Sequence, residues 1–423
     1  MLFDIADALE ARKLVRFASN FGLQRDAIAR CNSITTLCPS PKAIMKVLIY
    51  AHSFAPKIGG AETYVMLLAQ GLAAKGVFVT VATPTPKDSF DDASLPFKVV
   101  RQPDLRTLWQ LVGEADIVQL AGPVFAPLVF SLLRRKPVAV EHHGYQAICP
   151  NGLLFFEPTK TACPGHFMAR RYWHCLHCNA VTSGWLKSLL MLLLTFPRKW
   201  LCKKVSVNIP ITHHVLKRLG LPRSQVVYYG VPEASASPLL SDAVPTFAYV
   251  GRLVSEKGLP LLLEAAKRLK EEGYDFRLLF VGDGPERKFL EMMAVKLNLQ
   301  DRVQFTGFLG GEALEEVMAS VHAVIMPSVW EETAGLAAME HMMRGRLVIA
   351  SDIGGLGEVV DGAGLKFTPG DMAALAHCLR QVLEHPNLVT ELGAKARQRA
   401  LQFFRWERMV QEHLTLYQRL KKP

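Results

Sequence analysis

Two doubly wound α/β domains facing one another across a cleft are the fold this sequence predicts, and three observations predict it. Short apolar runs bounded by Gly, Pro or a charge alternate with longer segments of helical periodicity, as in parallel strands joined by crossover helices. The alternation occurs twice, separated by VPEASASPLLSDAVP (residues 231–245), which is rich in Pro, Ser and Ala and has no periodicity. A chain of 423 residues, half of them hydrophobic, exceeds one core and suits two of ordinary size. The expected organisation is an N-terminal extension (1–44), a first Rossmann-like domain (45–230), a linker (231–245), a second Rossmann-like domain (246–395) and a C-terminal helix (396–423).

Residues 1–44 are mixed in charge and precede an abrupt change at Met45. They read as a short amphipathic helix carrying Ile5, Leu9 and Leu14, or as an artefact of start-site choice. In the first domain KVLIYA leads through PKIGGAE into a helix ending at Lys75, and VFVTVAT, FKVV, DIVQLA and PVAVEHHG are further strands. The second domain repeats the plan: TFAYVGR and a helix to Gly273, DFRLLFVGDGP and a helix to Leu297, RVQFTGF and a helix to Ser320, then HAVIMPS. The segment FFRWERMVQEHLTLYQRL is read as one helix with apolar positions Phe404, Met409, Leu414 and Tyr417. Open α/β sheets place ligands beyond the carboxyl ends of their strands, so the loops there hold the candidate site.

The excess of 49 Lys and Arg over 38 Asp and Glu gives a net charge of +11 and favours an anionic partner: a nucleotide sugar, a membrane surface or nucleic acid. No RNA-recognition signature, zinc finger or aromatic-studded basic helix is present, which sets nucleic acid aside. No apolar run is long enough to span a bilayer, and MLFDIADALEARKLVRF carries acids and lacks a continuous apolar core before a cleavage site. The expectation is a cytoplasmic protein, with peripheral association on the inner face of the membrane as an option. In such a reducing compartment the eight cysteines are expected as free thiols or metal ligands rather than disulfides.

The densest chemistry lies between Pro327 and Glu358, PSVWEETAGLAAMEHMMRGRLVIASDIGGLGE. The strand stops at Pro327 and a loop carries Glu331 and Glu332. A helix is expected to begin near Gly335 with Thr333 as its cap, so that the amides of Ala334, Gly335 and Leu336 lack intrahelical partners and suit an anion. Glu340 lies four residues after Leu336, on the same helical face, so Glu332 and Glu340 look into one cleft.

This spacing, with the trailing SDIGG, resembles the family 4 retaining glycosyltransferases, and the resemblance covers most of residues 45–423. It implies the GT-B fold, with Glu332 contacting donor-sugar hydroxyls, Glu340 holding the ribose and the intervening amides taking the diphosphate. The chain departs from the usual pattern at Thr333, Ala334, Leu347 and Gly357. GRLVSEKG supplies Arg252 and Lys257, a planar fork of donors and a compact charge that suit a diphosphate leaving group, the role the family gives this pair. Gly59 and Gly60 permit close backbone approach after the first strand, where the family's loop lines the cleft. Gly282, in GDGP, together with Phe305 to Phe308 resembles the nucleotide-base pocket. His143, at the end of a first-domain strand, takes the place of the family's histidine that faces the donor sugar, with Gly144 where Asp is frequent. Implied by these residues is retaining, metal-independent hexosyl transfer from a UDP-, GDP- or ADP-sugar to a glycan or lipid-linked acceptor in cell-surface polysaccharide or glycolipid biosynthesis. No cofactor is called for in catalysis. The rival readings are an epimerase on the same fold, which would lack the spaced Glu pair followed by SDIGG, and a silent scaffold subunit, which would have lost one of Arg252, Lys257, Glu332 or Glu340.

Two further stretches stand outside this motif set. Cys149, Cys163, Cys175 and Cys178 are a candidate structural zinc site, since a Cys-x-x-Cys pair and two cysteines near turns can supply four soft ligands; His166, His174 and His177 could replace one. Residues 183–204 form a short apolar stretch flanked by Trp185, Trp200, Arg198, Lys199, Lys203 and Lys204, a composition suited to an anionic membrane interface or to a buried core helix.

Overall fold

The computed structural model describes residues 44–57, 59–88, 90–235 and 244–421. The expectations for residues 1–43, and for most of the linker, lie outside the described residues. The first sheet contains β1 (Lys46–Ala51), β2 (Phe78–Thr83), β3 (Lys98–Arg101), β4 (Ile117–Ala121), β5 (Val138–His142) and, after a small hairpin of β6 (Phe155–Phe156) and β7 (Thr161–Ala162), β8 (Val207–Pro210). Its order is β3-β2-β1-β4-β5-β8, every pair parallel. The second sheet contains β9 (Thr246–Val250), β10 (Arg277–Val281), β11 (Val303–Gly307), β12 (Ala323–Met326), β13 (Leu347–Ser351) and β14 (Leu365–Phe367). Its order, β11-β10-β9-β12-β13-β14, repeats that of the first. Both sheets are sandwiched between helices, so β1 and β12 are unbroken apolar runs rather than alternating ones. In each, growth reverses between the first and fourth strands, which opens a crevice at their carboxyl ends.

The sixth strand of each sheet escaped the sequence reading, as did β13, which lies inside the stretch read for its glutamates and glycines. β8 (VNIP) carries Asn208 and ends in proline, and β14 is three residues long, so neither shows an apolar run of ordinary strand length. The C-terminal segment also differs from the single helix expected. One helix, Asn387–Phe403, stops at Phe404, which is buried at the break, and a second, Trp406–Lys421, buries Met409, Val410, His413, Leu416 and Tyr417. This last helix packs on the first-domain helix Gly60–Ala74. Gly71 makes the approach possible, since a Cβ there would sit 2.3 Å from Val410 Cγ2. Trp406 Nε1 donates to the Leu67 carbonyl at 2.8 Å, and Lys421 meets Asp116 at 2.9 Å. The two passages between domains also bond to one another: Val231 N donates to Phe404 O and Trp406 N to Val231 O.

Candidate active site

The strand β12 ends at Met326, and the loop after it is held against the turn that follows β9. Gly258, at φ 65°, closes the 3₁₀ turn Ser255–Lys257, and a Cβ on it would lie 2.2 Å from the Pro327 carbonyl, so only glycine lets the two loops meet. Val329 N donates to Glu256 O at 3.0 Å across the same junction. The consequence is that Lys257 Nζ reaches Glu332 Oε1 at 2.7 Å, joining the two motifs into one site. Glu332 is 4% exposed and also accepts from the Ser328 hydroxyl in a short bond. Arg252 is exposed, and among the described residues no acceptor lies within hydrogen-bonding distance of its guanidinium. Its carbonyl is held by the Tyr249 hydroxyl at 2.7 Å.

The helix Leu336–Met343 begins after Gly335, at φ 76°. Thr333 is not its cap; no side chain caps this end, and the Thr333 hydroxyl instead crosses the cleft to donate to the His143 carbonyl at 3.1 Å. A side-chain cap would have occupied amides that stay free. Those of Ala334 to Ala338 meet no protein acceptor among the described residues, which leaves an unsatisfied, positively polarised helix end a few residues after the Glu332 that Lys257 pairs with. Gly60 faces it, its Cβ position 3.7 Å from Leu336 Cδ2, so the first-domain glycine loop lies directly against this terminus. Glu340 sits one turn further in, and burial raises its carboxyl pKa, with Arg344 opposing and Glu315 reinforcing the rise.

The glycine pair of SDIGG serves the protein backbone. Cβ atoms on Gly354 and Gly355 would lie 2.4 Å from Glu332 O and 2.1 Å from Thr333 O, and Gly355 N donates to Glu332 O at 2.6 Å. The pair therefore fixes the Glu331–Thr333 loop from beneath. Gly251, Gly282 and Gly284 do the same for the neighbouring strand ends: a Cβ on Gly282 would be 2.0 Å from Gly251 O and one on Gly284 2.3 Å from Leu253 O. Phe308 stands exposed beyond β11, while Phe305 is stacked on Phe280 at 4.8 Å and belongs to the core. Of the two, only Phe308 offers a free ring.

On the first-domain side, His143 Nδ1 is engaged by the Tyr229 hydroxyl in a short bond, while the buried Nε2 has no partner. Burial lowers its pKa, with Glu141 and Glu62 opposing, so the ring is neutral near pH 7. The neighbouring Tyr145 hydroxyl is likewise buried and unpartnered, with Glu331, Arg218 and Glu332 close enough to perturb it. Behind His143 lies a buried network: Tyr64 donates to Glu141 in a short bond, Gln119 Nε2 donates to Glu141 at 2.8 Å, and the Tyr64 hydroxyl meets His413 Nε2 at 2.9 Å. His413 comes from the C-terminal helix, so that helix supports the floor of the site.

Several residues here were missed by sequence reasoning. Glu331 bonds Arg218 at 2.7 Å and His214 at 2.9 Å, and Glu358 accepts from the amides of His213 and His214 at 2.9 and 2.8 Å. Both carboxylates belong to the second domain and latch the first. Tyr64, Tyr145 and Tyr229 had no signal in spacing, although Tyr145 lies two residues beyond His143 at a strand end.

Cys149, Cys163, Cys175 and Cys178 are all buried and close enough that Cys175 feels the other three. Yet no three or more His, Cys, Asp or Glu among the described residues converge as metal ligands. Cys149 donates to Asn151 Oδ1 at 2.9 Å and Cys178 to Phe155 O at 3.4 Å, and burial pushes the Cys149 and Cys175 thiols up to about 11 and about 12. As described, the four are a cluster of buried thiols, and a zinc held by them stays an expectation that elemental analysis tests.

A family model described as Glycosyltransferase Family 4 matches residues 58–235, and one described as Glycosyl transferases group 1 matches residues 231–399. The chain belongs to glycosyltransferase family 4. Among its relatives, 2-deoxystreptamine glucosyltransferase of Streptomyces kanamyceticus is 39% identical over 150 residues, 35% of this chain and 38% of that one. The chain thus spans about two fifths of the length of the first curated relatives it matches. A longer match, to 2-deoxystreptamine N-acetyl-D-glucosaminyltransferase of Streptomyces fradiae, is 27% identical and covers 82% of this chain and 91% of the relative. Among solved structures, sucrose-phosphate synthase from Thermosynechococcus elongatus superposes with a TM-score of 0.69 at 21% identity, covering 89% of this family member and 99% of that chain. The Anabaena protein HepE in complex with UDP gives 0.67 at 19%, covering 89% and 100%. At these identities the likeness establishes the GT-B fold, as the sequence led us to expect.

Proposed function

We propose that this family 4 protein transfers a hexosyl group, with retention, from a nucleoside-diphosphate sugar to a glycan or lipid-linked acceptor of a cell-surface polysaccharide or glycolipid. The observation that carries the reading is the joined site in which Lys257 reaches the buried Glu332 at 2.7 Å, four residues before a helix, Leu336–Met343, whose first amides have no protein acceptor among the described residues, with Arg252 exposed on the turn that carries Lys257. Breaking the anomeric C–O bond leaves its electron pair on the diphosphate, and the two cations and the helix end stabilise that charge. Glu332 and the unpartnered Nε2 of His143 flank the sugar, whose oxocarbenium-like character is favoured by the carboxylate. Glu340 takes the ribose hydroxyls and Phe308 the base. Two cations and a helix end suffice for the diphosphate, so turnover is expected to be unaffected by EDTA. The UDP and UDP-glucose complexes of structural neighbours support uridine as the base.

The test is a thermal-shift screen with UDP-, GDP- and ADP-sugars, followed by product analysis. A ligand at a hundred times its dissociation constant adds ~2.7 kcal/mol to stability, so one base should stand out. No stabilisation by any nucleotide sugar would overturn the reading, and a product of inverted anomeric configuration would overturn retention alone.

A further inference from the structure

The helical hairpin inserted before β8 buries a mixed face and presents a broad apolar one to solvent. Its second helix, Trp185–Cys202, buries a stripe of Ser188, Leu192, Thr195 and Cys202, and the polar members are satisfied internally: Ser188 donates to Leu176 O at 2.6 Å and Thr195 to Met191 O at 2.8 Å. The opposite stripe, at the same helical spacing, points to solvent: Leu186 is 84% exposed, Leu190 and Leu193 55% each, and Trp200 58%. The first helix, Tyr172–Ser183, repeats the pattern, with Asn179 buried against Cys175 O and Trp173 exposed. Trp173, at the start of the first helix, stacks on Trp185, at the start of the second, at 5.6 Å. An ordinary amphipathic helix turns these faces the other way, so the exposed leucines and tryptophans require an apolar phase outside the protein.

Charge decides which phase. Between Pro158 and Lys204 the sequence carries eight Lys and Arg and no Asp or Glu. Arg170, Arg171, Lys187, Lys203 and Lys204 are exposed around the apolar stripe, and Lys204 lies over the Trp200 ring at 5.6 Å. A second copy of the chain would oppose this cationic rim with its own, which like-charge repulsion disfavours. An anionic bilayer surface offers both a hydrocarbon layer for the leucines and negative headgroups for the rim, with tryptophan at the boundary. No helix among the described residues is long and apolar enough to cross a membrane. We propose that the hairpin Tyr172–Cys202 lies in the plane of an anionic membrane surface and docks the first domain there. This holds independently of the sugar-transfer reading.

Flotation of the full chain with vesicles of phosphatidylcholine, alone or with about a third phosphatidylglycerol, tests it. Binding is expected with the anionic vesicles at low salt, weakening as salt rises, with a blue shift of tryptophan emission and quenching by brominated acyl chains. The triple variant Leu186→Glu, Leu190→Glu, Leu193→Glu should lose about tenfold or more of the bound fraction. Because these side chains are exposed, its unfolding temperature and its stabilisation by the nucleotide sugar should match the parent, which separates this test from that of the donor site. Lys203→Glu with Lys204→Glu should abolish the preference for anionic lipid. Three results would each overturn the proposal: no flotation of the parent at low salt, equal flotation of the triple variant, or a dimer by light scattering that Leu190→Glu dissociates.

Discussion

Two helices, Leu259–Glu271 in the second domain and Trp185–Cys202 in the first, divide their apolar residues differently between protein and solvent. The former buries Leu259, Leu262, Leu263, Ala265, Ala266 and Leu269 and turns Glu264 and Glu271 outward; the latter buries Ser188 and Thr195 along with Leu192, Leu201 and Cys202 and turns its tryptophans and most of its other leucines outward. Helical periodicity is equal in both, and only the surroundings decide which stripe meets the core. The same contrast runs through the two domains at large. The second gathers its functional polar groups, Arg252, Lys257, Glu332 and the free amides, at the loops beyond β9 and β12, where Arg252 is exposed and Glu332 is buried against Lys257. The first buries its own, Glu141, Gln119, His142, Asn208 and His413, as a frame behind His143. Polar groups at the cleft are therefore expected to govern rate, and those in the frame to govern stability.

The largest effect that would sharpen this contrast is on turnover. Lys257→Ala and Glu332→Gln should each lower it by about a hundredfold or more, since each removes a charge opposed to one developing in the transition state; Lys257→Ala also leaves the buried Glu332 carboxylate unpaired and should lower the unfolding temperature, whereas Glu332→Gln should stay nearer the parent. Parent-like rates in both variants would break the site assignment.

Acid titration compares one buried histidine from each domain. Burial lowers His142 to about 4 and His341 to about 3, whereas the unfolded chain takes up these protons near 6.5. The folded state excludes the proton, so their contribution is fully present above pH 6.5 and is lost as pH falls toward the folded values, by roughly 3 kcal/mol for each histidine at pH 4. Urea unfolding at pH 7 and pH 4 should show the loss, and His341→Leu should reduce it. An unchanged slope in that variant would count against burial as the cause.

A smaller loss is expected within the frame. His413→Leu removes the partner of the Tyr64 hydroxyl, which itself donates to Glu141, and should cost ~1.5 kcal/mol in urea unfolding at pH 7. Equal stability would show that the C-terminal helix contributes packing alone.

The smallest effect should be on the thiols. With Cys31→Ser and Cys38→Ser as background, the six buried cysteines should resist iodoacetamide at pH 8 when folded and react in urea, because burial holds Cys149, Cys175, Cys202 and Cys378 at about 11 to about 12. One zinc per chain by elemental analysis would establish the metal reading.

How much was legible beforehand follows from the range of the interactions involved. Strand and helix alternation is local, and the sequence alone determined the two parallel-sheet domains, the loops beyond β9 and β12 and the family to which their motifs belong. The spaced glutamates and GRLVSEKG could be read because each motif is contiguous in the chain. That Lys257 reaches Glu332 could not, since it depends on the Pro327 carbonyl closing over Gly258 across some seventy residues of sequence. Tertiary structure alone decided that Gly354 and Gly355 carry the Glu331–Thr333 loop, that Glu331 and Glu358 latch the two domains, and that His413 stands behind His143. It also decided the fate of residues 183–204, whose composition fits a core helix and an interfacial one equally. The side chains are the same in both readings, and only the position of the rest of the chain determines which face of a helix is left without protein to cover it.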